Sequence, residues 1–245
     1  MIAARLFVFC GILANMVSAQ VSDVIFHDDF ESGFNSAWVS VGKDIAIVTD
    51  PDNPSNKVAA LPPGKESAFH GPPVAVENWK GATEKAVEMA EWTDYELRFR
   101  FRLEKVEDRP DAGPGNSSHF LQVGTRIDPQ EDNPQEQRYI CLGIWRPQLV
   151  WRIKAPSIPW YGMHEAMALS SNVYAGNSDT RWHEVCTINH SERTEVYFDG
   201  DLKYAGCDDR ALRGGFNILR RNDGRVDVGT IYLDDVKVTK VEKKP

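Results

Sequence analysis

The stretch that most limits what this chain can fold into spans residues 182–204. Two short runs bearing β-branched and aromatic residues flank a polar turn, Asn189-His190-Ser191-Glu192, and the second run ends in Asp199-Gly200 ahead of a third. Glycine tolerates the positive φ of a tight turn, so the pattern predicts three consecutive antiparallel strands, a meander. The clearest alternation lies earlier, in Tyr95-Glu96-Leu97-Arg98-Phe99-Arg100-Phe101-Arg102-Leu103. Its period of two puts Leu97, Phe99 and Phe101 on one face of a strand and Arg98, Arg100 and Arg102 on the other.

The rest of the chain reads the same way. Within residues 24–33 a short strand is expected to run into an acidic turn, and further strands are expected at 45–48, 57–61, 119–125, 138–145, 149–153, 214–219 and 230–238. Turn signals such as Asp50-Pro51-Asp52-Asn53-Pro54 and Asn222-Asp223-Gly224 separate several of them. Residues 69–76, interrupted by Gly71-Pro72-Pro73, are at best an edge strand. Helix-favouring composition occurs once, between Trp79 and Trp92. No repeat and no linker divides the chain. The fold class is therefore all-β, a two-sheet antiparallel jelly-roll sandwich with at most one short helix.

The first residues combine Arg5, an apolar run over 6–17 and the small pair Ser18-Ala19, the pattern of a secretory signal peptide. This divides the chain into residues 1–19 as signal and 20–245 as one domain, exported to the periplasm or the extracellular space. No stretch approaches the ~18–20 apolar residues of a membrane span. The net charge of −8 argues against non-specific nucleic-acid binding. Beyond Cys10, three cysteines remain. A Cys186–Cys207 disulfide and three buried thiols are both open. Asn116-Ser117-Ser118 and Asn189-His190-Ser191 match glycosylation acceptors.

Asp28-Asp29-Phe30-Glu31-Ser32-Gly33 with Trp38, and Tyr232-Leu233-Asp234-Asp235-Val236-Lys237-Val238 at the other end, resemble the terminal strands of carbohydrate-associated jelly rolls. Residues 95–103 and 196–200 resemble the concanavalin A-like lectin and glucanase superfamily, laminin-G-like modules included. The resemblance implies a concave outer sheet face that holds saccharides. It also implies a structural calcium where the termini meet, with Glu31 and Asp235 as matching ligands and Asp29 as an alternative; acids capping turns are the plainer reading of these positions.

If each strand turns its apolar parity to the core, the opposite parity gives an outward set of Arg98, Arg100, Gln122, Tyr139, Trp145 and Arg152. Aromatic faces stack on sugar rings, and guanidinium forks bind carboxylates or sulfates. The expected partner is thus a polysaccharide, an anionic uronic-acid glycan included. A solvated arginine face on the other sheet is the competing reading. A glycosidase needs two carboxylates straddling the bond, and no Glu-x-Asp-x-x-Glu string occurs. As an enzyme, a polysaccharide lyase fits better, with His119 or His183 as base, Tyr139 as a second proton-moving group, and Arg98 and Arg100 neutralising the uronate. A plain binding module and a laminin-G-like interaction module are the non-enzymatic alternatives.

Overall fold

The computed structural model describes residues 23–63, 67–71, 92–104, 121–127, 139–144, 149–154, 167–170, 179–207, 209, 211–220 and 229–242. Among these residues the regular structure consists of strands in two antiparallel sheets. The expected helix near residues 79–92, the signal segment, Asn116, His119, Trp145 and the 222–224 turn lie outside the described residues.

The eight-stranded sheet is built on β6 (Tyr95–Leu103) and the C-terminal β15 (Ile231–Lys240). On the far side of β6 follow β11 (His183–His190), β12 (Arg193–Phe198) and β13 (Asp201–Cys207), the expected meander. Phe198 faces Asp201 across a two-residue turn, with Asp199 at φ 52° and Gly200 at φ 82°. Positive φ at both central residues is the type I′ geometry that matches strand twist. The other side of β15 is shared. β4 (Lys57–Leu61), followed by β3 (Ala46–Thr49), pairs with its first half, and β1 (Val24–Asp28) pairs with its second. Asp235, at φ 51° in a register shift, sits where the partner changes.

The seven-stranded sheet runs β10 (Met167–Ser170), β9 (Leu149–Lys154), β8 (Tyr139–Ile144), β7 (Leu121–Ile127), β14 (Gly215–Arg220), β5 (Ser67–His70) and β2 (Ser40–Val41). The segment expected as an edge strand is therefore next to the edge. The two-residue β2 caps it, and its described residues in strand are Ser67–His70, with residues 72–76 outside the described range.

The core lies between the sheets and follows the expected parity. Leu97, Phe99 and Phe101 from one sheet meet Leu121, Val123, Leu142 and Ile218 from the other, all buried. Trp38 packs its ring on Phe26 and Phe69 at centroid distances of 4.7 and 4.9 Å.

Two sequence expectations fail for the same reason, strand register. Cys186 stands opposite Tyr197 on β12, whereas Cys207 stands opposite Arg193 beyond it. A whole strand and four residues separate them, on the order of 15 Å, against roughly 6 Å between the Cα atoms of a disulfide. They are separate thiols, Cys186 buried and Cys207 exposed. Asn189 is no glycosylation acceptor in the folded chain. It points into the sandwich, fully buried, and accepts a hydrogen bond from the Thr194 hydroxyl at 3.1 Å.

Candidate functional site

The two sheets present very different outer faces. On the eight-stranded sheet, β6 sends its three arginines outward; Arg98 and Arg100 find carboxylates on their own or neighbouring strands, and Arg102 finds one in the β3–β4 turn. Arg98 donates Nε to Glu96 at 2.9 Å and Nη1 to Glu184 on β11 at 2.5 Å. Arg100 reaches Asp235 at 3.2 Å and Asp234 at 3.7 Å, and its guanidinium lies 4.8 Å from the Trp182 ring centre. Arg102, almost buried, pairs with Asp52 and covers the Tyr232 ring at 5.7 Å. One strand further, Arg193 pairs with Glu195, which also accepts the Tyr197 hydroxyl at 2.6 Å. This face carries a ladder of arginine–carboxylate pairs. Cys186 lies within it, and burial, with Glu96 adding to it, pushes its thiol up to about 12. Burial likewise raises the Asp234 carboxyl above the usual range, against the Asn56 hydrogen bond that lowers it.

The outer face of the seven-stranded sheet carries no such ladder among its described side chains. Register draws two lines across it. His70, Asn217, Gly124, Cys141 and Arg152 share one, and Ala68, Leu219, Gln122, Gly143 and Val150 share the next. Tyr139 pairs with Lys154 at one end. Two glycines in the middle leave a shallow floor. Gln122 is only 7% exposed and Cys141 only 2%, although both have outward parity, so this part of the face is recessed. Asn217 lies flat across the floor, its Oδ1 accepting the Gly124 N–H at 3.0 Å. A Cβ on residue 124 would come within 2.5 Å of that oxygen, so the arrangement needs glycine there.

The structure divides the outward set. Arg98 and Arg100 belong to the ion-pair ladder, while Gln122, Tyr139 and Arg152 belong to strands of the opposite sheet. No groove unites them, because parity tells which side of its own strand a residue occupies and not which sheet the strand joins. Tyr139 and Arg152 keep their register positions, and His119 and Trp145 lie outside the described residues. Asn217 escaped sequence reasoning, although its strand was recognised, since its alternation with Ile218 on a buried strand offered the only signal.

The proposed calcium ligands are engaged elsewhere. Glu31 Oε1 accepts the Lys57 N–H at 2.8 Å, and Asp235 is paired with Arg100. Asp29 accepts the Glu31 N–H at 3.1 Å, capping the turn. Among the described residues no group of three or more His, Cys, Asp or Glu is arranged to hold a metal ion.

His183 faces inward between Phe101 and Phe198, with Nδ1 2.8 Å from Asp199 and Nε2 3.4 Å from Asp179. It is a core histidine tying the meander's turn to the strand start. No described helix is long and apolar enough to cross a membrane.

No protein-family model matches the sequence, and no curated protein does. Solved structures match in shape. A family 16 endo-glucanase from Bacteroides ovatus aligns with TM-score 0.56 at 12% identity, over 87% of this chain and 99% of that one. The β-glucanase of Bacillus licheniformis aligns with 0.53 at 9% identity, over 91% and 100%. Domain 4 of an extracellular arabinanase from Geobacillus stearothermophilus, in complex with arabinotriose, aligns with 0.51 at 12% identity, over 89% and 93%. With two antiparallel sheets packed face to face and glucanases among its structural neighbours, this chain folds as a concanavalin A-like jelly roll.

Proposed function

We propose that this is a secreted protein that binds a polysaccharide on the outer face of its seven-stranded sheet. The observation that carries the reading is the contrast between the two outer faces. On one, the arginines are consumed by neighbouring carboxylates, and displacing those pairs would leave charges uncompensated. On the other, side-chain amides and a glycine floor lie in a recess, where polar groups fix the orientation of a ligand and bare backbone lets it approach. The likeness to glucanases and to an arabinotriose-bound domain supports the same assignment as an analogy of fold. Export rests on the apolar run over residues 6–17 and is tested by N-terminal sequencing of protein recovered outside the cytoplasm.

Affinity electrophoresis against soluble mixed-linkage β-glucan, arabinan and alginate tests the binding. The expected result is retardation by at least one polysaccharide. Migration unchanged by all three would overturn the proposal.

A second reading, β-elimination on a uronic-acid polymer, has one observation in its favour. Tyr139 pairs with Lys154, and Arg152 stands beside them on the same sheet face by register. A lyase needs this combination of residue types, a phenol to move the proton and a cation to neutralise the carboxylate. Incubation with alginate then raises the ultraviolet absorbance of the unsaturated product. Binding without such a rise identifies a binder.

A further inference from the structure

We infer that Asn217 and Gln122 form a preorganised amide pair that reads the hydroxyl groups of an uncharged sugar unit at the β7–β14 seam. The inference rests on the proposed glycan-binding face and names the chemistry of its ligand.

The two residues stand on adjacent strands, diagonal to one another, because Asn217 pairs with Gly124 and Gln122 with Leu219. Diagonal side chains on one face of an antiparallel pair lie roughly 7 Å apart, a separation that long polar side chains bridge. Asn217 cannot rotate freely. Its Oδ1 is committed to the Gly124 N–H, and only an oxygen can accept that hydrogen. The amide nitrogen is therefore the end left over, and it has no hydrogen bond to any described residue. The Gln122 amide, in the same recess at 7% exposure, likewise has none among the described residues.

A sugar hydroxyl both donates and accepts, so neighbouring amides suit a pair of adjacent hydroxyls. A carboxylate would find donors at this seam but no cation on the outer side of β7 or β14: Arg126 and Arg220 turn to the carbonyls of Ala211 and Leu61, and Arg152 stands two strands away on β9. Gly124 supplies the second requirement. With no Cβ, it leaves the room that the Asn217 amide occupies, since a Cβ there would stand 2.5 Å from Oδ1, and so holds the amide in one orientation.

A purely structural asparagine would serve only to satisfy the Gly124 N–H, and Asn217→Asp separates the two roles. The aspartate keeps an oxygen for that N–H and replaces the amide donors by an acceptor. Wild type, Asn217→Asp, Gln122→Glu and Gly124→Ala are compared by calorimetric titration with mixed-linkage β-glucan, arabinan and alginate, with thermal melting alongside. The expected result is binding of an uncharged glycan by the wild type. Asn217→Asp and Gln122→Glu each weaken it about tenfold, the scale of one or two lost hydrogen bonds, with melting unchanged in Asn217→Asp. Gly124→Ala, which pushes Asn217 off the floor, weakens it as well. Wild-type affinity in Asn217→Asp, or binding of alginate alone, would overturn the amide-pair inference and leave the binding face standing. Failure of the wild type to bind any of the three would instead overturn the proposed function itself.

Discussion

Replacing Asp28 probes the device that locks the N-terminal segment onto the core. Its carboxylate is buried at 4% exposure and accepts three hydrogen bonds. Oδ1 takes the Phe30 N–H at 3.0 Å, and Oδ2 takes the Asn35 N–H at 2.9 Å and the Trp38 Nε1–H at 2.6 Å. The first of these holds Phe30 at φ 58°, a conformation that costs a bulky residue about 1 kcal/mol and is held here by full burial against Phe69. Asparagine at this position keeps one accepting oxygen, enough for the Asn35 and Trp38 donors, but turns its amide nitrogen toward the Phe30 N–H. One charge-assisted bond is lost and one buried donor stranded, about 2 kcal/mol. Alanine strands all three donors, about 4 kcal/mol once partial solvation is allowed for. At this chain length each kcal/mol lowers the melting temperature by roughly 2–4 °C, so the expected losses are about 4–8 °C for Asp28→Asn and about 8–16 °C for Asp28→Ala. Urea denaturation followed by circular dichroism gives the free energies directly. Trp38→Phe keeps a ring in place and removes only the indole donor, so combined with Asp28→Asn it should cost less than the sum of the single changes. A loss below ~1 kcal/mol for Asp28→Ala, or strict additivity in that double mutant, would refute the reasoning.

Arg126 offers a second test of buried polarity. Its guanidinium is fully enclosed and donates to the carbonyls of Ala211, Thr93 and Ser191, stitching one end of the two sheets together. Lysine cannot fork to all three, so Arg126→Lys is expected to cost about 2–4 kcal/mol in urea unfolding. Thiol-reactive labelling followed by peptide mapping should modify exposed Cys207 rapidly and leave Cys186 untouched, its thiol being buried and pushed up to about 12. Protection of both would revive the disulfide. The Thr230 N–H, at 2.9 Å, holds the Glu104 carboxyl below the usual range. A depressed folded value gives stability that is present above the unfolded value, about 4.3, and is lost as pH falls through the folded one. Glu104→Gln should therefore flatten the acid limb of the melting profile. Because Glu31 and Asp235 are already engaged by Lys57 and Arg100, a chelator is expected to leave the melting temperature unchanged.

Local chemistry made much of this protein legible in advance. The alternation from Tyr95 to Leu103 announced both the strand and its buried side, and Asp199-Gly200 announced the turn, because side-chain parity and positive φ depend only on neighbouring residues. The meander at residues 182–204 came out as three paired strands for the same reason. What tertiary structure alone decided was membership. Arg98 and Gln122 carry the same outward parity in sequence, yet β6 pairs with β11 and β15 while β7 pairs with β8 and β14, so their side chains leave the sandwich in opposite directions. The carboxylates that occupy the arginines come from residues as distant as Glu184 and Asp235, and the clamp on Asn217 comes from Gly124, 93 positions away. Arg126 lies one residue past the strand expected at 119–125, and with a backbone φ of 53° it reaches the carbonyls of Ala211, Thr93 and Ser191. Each of these depends on which strands become neighbours, a choice made by the packing of two whole sheets around one core.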